Sequence, residues 1–320
     1  MATASGTPGW FEGFEQARFG LGDGQIFARF GGARDKPALL LLHGFPQTHA
    51  MWHRVALALK DEFFLVMPDL RGYGDSSKAP GRDDHANYSK RAMAEDMCGL
   101  MTALGKPQFF LAGHDRGARV AHRLAVDHPQ RVRKLVLIDI APTLDMYDGN
   151  WNAGQSAISP EEDKRRHFTF ARVYYHWFHL IQPSPLPEKM IGADARFYLR
   201  SKLGGWGASG MAHVEKAALA EYERCFCRAE SIHAACEDYR ASASIDLEHD
   251  RESRALGKRI CCDTFVMWGE RGLIGKLFDP LALWQAQCAC QVSGRSMPAG
   301  HFIPEELPME TAQASRAFFG

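Results

Sequence analysis

FFLAGHDRGARVAHRL, residues 109–124, decides the reading of this chain. Apolar residues lead into Gly113-His114-Asp115-Arg116-Gly117, and a helix-forming run leads straight out. Strand, tight G-x-nucleophile-x-G turn and helix make an elbow that lifts a reactive side chain above the end of a sheet. Serine is the usual occupant of the centre; here it is Asp115. A serine that displaced a leaving group from saturated carbon would be trapped as an ether, whereas a carboxylate forms an ester that water can cleave. Asp115 therefore points to cleavage of a carbon–halogen or epoxide bond.

Outward from the elbow, strand-like apolar runs recur at 37–42, 63–68, 132–138 and 263–268, with helix-length segments between them. FEQARFGL and GQIFARFGG, around Gly22-Asp23-Gly24, read as an antiparallel hairpin. Segment 88–104 carries apolar residues at helical spacing, and 309–319 closes the chain as a helix. Strands alternating with helices predict an α/β fold whose mainly parallel sheet is covered on both faces. From Ile140 to about His249 the alternation stops and Trp, Tyr, His, Phe and Pro become dense. We read this as a helical cap inserted after the sixth strand, at the sheet edge where such folds bind ligands. The expected division is 1–143 and 247–320 for the core and 144–246 for the cap.

Thirty-eight basic and 38 acidic residues cancel, which recommends neither nucleic acid nor an anionic membrane as partner. The N-terminus lacks a basic start and an apolar stretch of signal-peptide length, and the longest aliphatic run is only Ala38 to Leu42, so a cytoplasmic protein is expected. Eight cysteines form no C-x-x-C pair and no zinc spacing; no metal is expected.

An elbow nucleophile needs a base and an acid that orients it, in the chain order nucleophile, acid, histidine. Among 14 histidines, His301 stands in Ala299-Gly300-His301-Phe302, after the last strand-like stretch and before the closing helix. For the acid, Trp268-Gly269-Glu270-Arg271-Gly272 has glycine where a W-G-x-x-D pattern would put aspartate. Asp139 instead ends the apolar run Leu135 to Ile138, where an unpaired charge would be costly. Asp139 is the expected partner of His301, with Glu270 the weaker candidate. His43-Gly44-Phe45-Pro46 follows the strand at 37–42, so the backbone amides of Phe45 and Arg116 are the expected oxyanion hole.

Arg116 and Arg119 share the mouth of the nucleophile's helix. Continuation of the stripe to Arg123 admits a solvated face, but a helix leaving this elbow is packed under the site. Buried guanidinium groups demand an anion, and a carboxylate fits their fork. A substrate of the type X–CH2–COO⁻, held beside anionic Asp115, requires that positive charge. A departing halide needs hydrogen-bond donors, which Val173-Tyr174-Tyr175-His176-Trp177-Phe178-His179 and Cys236-Glu237-Asp238-Tyr239-Arg240 can offer, although core packing is the default for such aromatics.

With these residues in place, the chain resembles the haloacetate dehalogenases of the α/β-hydrolase superfamily, above all the fluoroacetate dehalogenase group. The likeness spans HGFPQTHAMW (43–52), PDLRGYGDS (68–76), GHDRGARV (113–120), LIDIAPT (137–143), YHWFHLIQPSPLPE (175–188), CEDYRA (236–241), DLEHD (246–250) and AGHFIPEE (299–306). The resemblance implies Asp115 as nucleophile, His301 as base, Asp139 as its partner, Arg116 and Arg119 as carboxylate ligands, and His176, Trp177 and Tyr239 as the halide pocket. It further implies a cofactor-free enzyme, often a homodimer, acting on a small anionic haloacid. The cysteine pairs match no motif of the group. An epoxide hydrolase shares the Asp–His–acid set but needs donors, usually two cap tyrosines, to protonate the ring oxygen, and the arginines favour an anion instead. A haloalkane dehalogenase would place an aromatic donor where Arg116 stands. A ligand sensor on the same fold would not need the complete set Asp115, Asp139 and His301.

Overall fold

The computed structural model describes residues 10–149 and 158–320. A hairpin, β1 (Phe14–Leu21) and β2 (Gly24–Gly32), opens the chain. Strands β3 (Ala38–Leu42), β4 (Phe64–Pro68) and β5 (Phe109–His114) follow, each buried at every position, as strands with helices on both faces must be. β6 (Val132–Ile138), β7 (Thr264–Gly269) and β8 (Val292–Met297) complete an eight-stranded sheet of order β1-β2-β4-β3-β5-β6-β7-β8. Strands β3 to β8 run parallel, and β1 and β2 antiparallel. β8 is absent from the strand-like runs of the sequence because VSGRSM is polar; at the edge it faces solvent on alternate residues.

Core helices α1 (His53–Leu59), α2 (Lys90–Ala103) and α3 (Arg116–Asp127) cover the first half of the sheet. Between β6 and β7 the described residues hold helices and no strand: α4 (Thr143–Tyr147), α5 (Pro160–Val173), α6 (Tyr175–Leu180), α7 (Leu186–Ala193), α8 (Ala195–Trp206), α9 (Lys216–Phe226), α10 (Ala229–Ser242) and α11 (Ile245–Ala255). The chain then returns through α12 (Ile274–Leu277), α13 (Pro280–Gln287), α14 (Ile303–Glu306) and α15 (Pro308–Phe319). No helix among the described residues is long and apolar enough to cross a membrane.

The central position of β5 puts the elbow over the middle of the sheet, flanked by the ends of β3 and β6. Its glycines are steric necessities. A Cβ on Gly117 would drive into the carbonyl oxygen of His43, one on Gly113 would lie 2.6 Å from the Gly117 carbonyl oxygen, and one on Gly44 would lie 2.6 Å from the Cβ of Asp115. The β3 loop and the start of α3 therefore close on each other to backbone contact distance.

Candidate active site

Asp115 sits between β5 and α3 at φ 47°, a left-handed conformation that costs a non-glycine residue about 1–3 kcal/mol. The Phe45 amide donates to its Oδ2 at 3.0 Å. The Arg116 amide, at the first position of α3, has no acceptor within the helix. Burial alone would raise the Asp115 carboxyl, but His301, His114, Arg116 and Arg119 together hold it below the usual aspartate range, so it is an anion.

His301 Nδ1 lies 2.6 Å from Asp139 Oδ2, and the Gly269 amide donates to Asp139 Oδ1 at 2.9 Å. Asp139 is also held at positive φ, 48°, and a Cβ on Gly272 would come within 3.4 Å of its Oδ1. An aspartate at 272 would reach the place that Asp139 already fills, which explains the glycine there. Glu270 is exposed and accepts from Ser296 Oγ at 3.0 Å; the fold does not bring it to His301. Burial would depress the His301 imidazole, yet the Asp139 hydrogen bond, with the charges of Asp139 and Asp115, raises it above the ordinary value. His114, pushed down to about 3 by burial, is neutral and donates from Nε2 to the His301 carbonyl at 2.8 Å.

Arg116 and Arg119 are both buried and differ in their partners. Arg116 is forked onto Asp238, with Nε 2.9 Å from Oδ2 and Nη2 2.7 Å from Oδ1, and lies 4.1 Å from the Tyr239 ring centroid. Its Nη1 is buried with no partner. Arg119 donates to Thr143 Oγ1 at 2.6 Å and Met146 Sδ at 3.2 Å, its Nε is buried without a partner, and it meets no carboxylate in an ion pair among the described residues. Burial, with Arg116 beside it, pulls the Arg119 guanidinium below its usual value. Arg123 is buried too but faces away, toward Ser253 and Asp250 on α11, so the stripe is not a solvated face.

The aromatic candidates divide. His176 stacks on Phe45 (6.1 Å, 4°), and Tyr239 meets both Phe45 (5.3 Å) and His176 (5.5 Å). Trp177 turns toward Arg119, 5.0 Å from its ring centroid, and toward Tyr147 at 4.7 Å. Burial drives the His176 imidazole well below its ordinary value, so it is neutral, and its Nδ1 has no partner.

Three residues escaped the sequence. Asp238, next to the expected Tyr239 in CEDYRA, accepts from Arg116, Lys90 and Tyr73 (2.5 Å) and so sets the Arg116 fork. Trp206 packs on His176 at 4.6 Å and His301 at 5.6 Å. The Tyr147 hydroxyl is buried without a partner among the described residues, in the field of Arg116 and Arg119. None of the three carried a signal of its own: Asp238 stands between Glu237 and Tyr239 in a helix that also bears Arg240, so its charge is not conspicuous in the sequence. A cavity of about 290 Å³ ends on His301, Asp139 and Trp206, and Arg172, Arg271 and Lys276 also line it, none of them in an ion pair among the described residues.

Among the described residues one group has the spacing of metal ligands, Asp75, Glu221 and Cys225, but Arg224 already pairs with both carboxylates. The cysteines at 261, 262, 288 and 290 gather beside the bridge Ile260–Cys288, below the sheet end opposite the elbow.

A strand-to-helix elbow over the middle of a mainly parallel sheet, with an acid–histidine pair returned from later strands, defines an α/β hydrolase, and the chain belongs to that family, whose fold matches residues 37–308. More narrowly, it is similar to the fluoroacetate dehalogenase of Burkholderia sp, with 44% identity over 96% of this chain and 94% of that protein. It is also 30% identical to the soluble epoxide hydrolase of Corynebacterium sp. (strain C12), over 88% of this chain and 89% of the relative. The crystal structure of ALR0039 from Nostoc sp PCC 7120 superimposes with a TM-score of 0.86 at 49% identity, covering 96% of this chain and 98% of that one.

Proposed function

We propose that the protein hydrolyses 2-haloacetates, fluoroacetate or chloroacetate, to glycolate and halide through an ester on Asp115. The observation that carries this reading is the pair of buried, unpartnered guanidinium donors, Arg116 Nη1 and Arg119 Nε, in the field of the anionic Asp115 carboxylate. An unsatisfied buried cation is costly, and a small carboxylate that accepts from both arginines removes the cost while fixing the α-carbon for attack.

Asp115 Oδ1, the oxygen not held by the Phe45 amide, attacks the α-carbon as the carbon–halogen bond breaks. The halide leaves with the bonding pair into the pocket of His176, Trp177 and Tyr239, in the cap at 144–246. His301 then takes a proton from water through Nε2, its Nδ1 being turned to Asp139. The hydroxide adds to the Asp115 carboxyl carbon, and the charge that develops on Oδ2 is met by the amides of Phe45 and Arg116. Collapse expels the glycolate oxygen, which takes the proton held by His301, and the Asp115 carboxyl then loses the proton of the added hydroxyl to regain its charge; the new hydroxyl oxygen of glycolate comes from Asp115.

Epoxide hydrolysis is the second reading. It has a specific support in Tyr174 and Tyr239, two buried phenols both in the field of Asp115. Halide and diol release measured on fluoroacetate, chloroacetate, a neutral haloalkane and an epoxide separates the two. Turnover of the haloacetates alone is expected; turnover of the neutral substrates without them would reject the arginine argument.

A further inference from the structure

We propose that Glu306 is a positioning residue for His301: its carboxylate pins the loop on both sides of the imidazole and ties that loop to the cap. The inference rests on the role given to His301 above. Oε2 accepts from the Gly300 amide at 2.9 Å and Oε1 from the Phe302 amide at 3.0 Å, so the residues flanking His301 are held by one side chain. The amide of His301 itself donates to the Trp206 carbonyl at 2.9 Å, and the Ala208 amide of the cap donates to the same Glu306 Oε2 at 2.9 Å. Three consecutive amides, 300 to 302, are thereby fixed, two by the Glu306 carboxylate and one by the last carbonyl of α8. Gly300 permits the contact, since a Cβ there would lie 2.5 Å from both the Ala208 nitrogen and the Trp206 oxygen. The half-buried carboxylate also stands in the field of the imidazole.

The consequence is confined to one half of the reaction. Alkylation of Asp115 draws on His301 only through its field, which tolerates small displacements, whereas ester hydrolysis needs Nε2 placed on the attacking water, where a displacement of about 1 Å costs roughly 100-fold. Glutamine at 306 keeps the size but turns an NH2 toward amide donors, so Glu306→Gln and Glu306→Ala both loosen the loop, and Glu306→Asp keeps an acceptor.

The test is rapid-quench kinetics on chloroacetate together with proton NMR. Glu306→Gln should retain a halide burst stoichiometric with enzyme, at a rate within about threefold of the parent, while steady-state turnover falls about 10- to 100-fold. KM should fall along with kcat, intact mass should show a carboxymethyl group accumulating on Asp115, and Glu306→Asp should recover part of the loss. Equal slowing of burst and turnover, or slowing of neither, overturns the proposal. The NMR arm needs no substrate: the His301 Nδ1 proton, in its 2.6 Å hydrogen bond to Asp139, should resonate far downfield and shift or broaden in Glu306→Gln. An unchanged resonance overturns the proposal as well. If the parent releases halide from no haloacetate, the proposed function fails, and the NMR arm still decides the case of Glu306.

Discussion

Replacing Arg119 with methionine should make the protein no less stable and much less active toward an anion. Arg119 is 2% exposed, and among the described residues it has one hydroxyl and one thioether as acceptors, an orphaned Nε and no ion pair to offset the desolvation of the cation. Methionine has similar reach and no charge, so the exchange removes a buried cation whose desolvation is not offset and should not destabilise the fold. The substrate carboxylate supplies the missing partner. At about 4 Å and an effective dielectric constant of about 20, its attraction to one guanidinium is about 4 kcal/mol. Discounted for the Arg116 donor that remains, a loss of about 3–4 kcal/mol corresponds to a fall of roughly 200- to 900-fold in kcat/KM for chloroacetate. Chloroacetamide, the neutral counterpart, should lose less than about tenfold, because only the shape of the pocket changes for it. Halide release on both substrates and a thermal melt decide the matter. The contrast is Arg116→Met, which strips Asp238 of its fork and leaves it to Lys90 and Tyr73; it should destabilise by about 3–5 kcal/mol. A kcat/KM for chloroacetate within threefold of the parent in Arg119→Met, or an equal loss on the amide, would refute the reasoning.

Asp115→Asn should abolish multiple turnover, His301→Asn should accumulate the ester as a mass increase, and a single turnover in heavy-oxygen water should yield glycolate without the label. Asp139→Asn should cost about 10³- to 10⁴-fold in turnover by releasing the imidazole, while Glu270→Gln, exposed and bonded to Ser296, should leave it unchanged. His301 must be neutral to act as base, and its folded value is raised, so ester hydrolysis should increase with pH through that value and level off above it. Esterification removes the Asp115 charge that helps raise the imidazole, so the acid limb of hydrolysis should fall below the His301 titration followed by NMR in the free enzyme. Neutralising Arg172, Arg271 and Lys276 together should raise the KM for haloacetate roughly two- to fivefold at low salt, with no effect in about 0.5 M salt or on chloroacetamide, because such exposed charges act through a screened field.

The elbow, the sheet and the helical interruption were legible in the sequence because they rest on local patterns: apolar runs of strand length, two glycines spaced around Asp115, and a loss of alternation after Ile140. The meeting of His301 with Asp139 was legible from chain order and from the carboxylate's place at the end of an apolar strand. The polar edge strand β8 was not, since a strand that faces solvent has no continuous apolar run to mark it. What the tertiary structure alone decided is which charges meet. Arg116, Arg119 and Arg123 look alike along one helix, yet folding gives the first to Asp238, leaves the second without an ion pair among the described residues and sets the third, beside its helical neighbour Asp127, against Asp250 and Ser253. Spacing along a helix sets which face a residue is on and gives Arg123 its pair with Asp127, but Asp238 and Ser253 arrive from 122 and 130 residues away, and nothing local to either segment encodes those meetings. The choice of Asp139 over Glu270 has the same origin: both follow strands, and only the approach of the His301 loop separates the buried carboxylate from the exposed one.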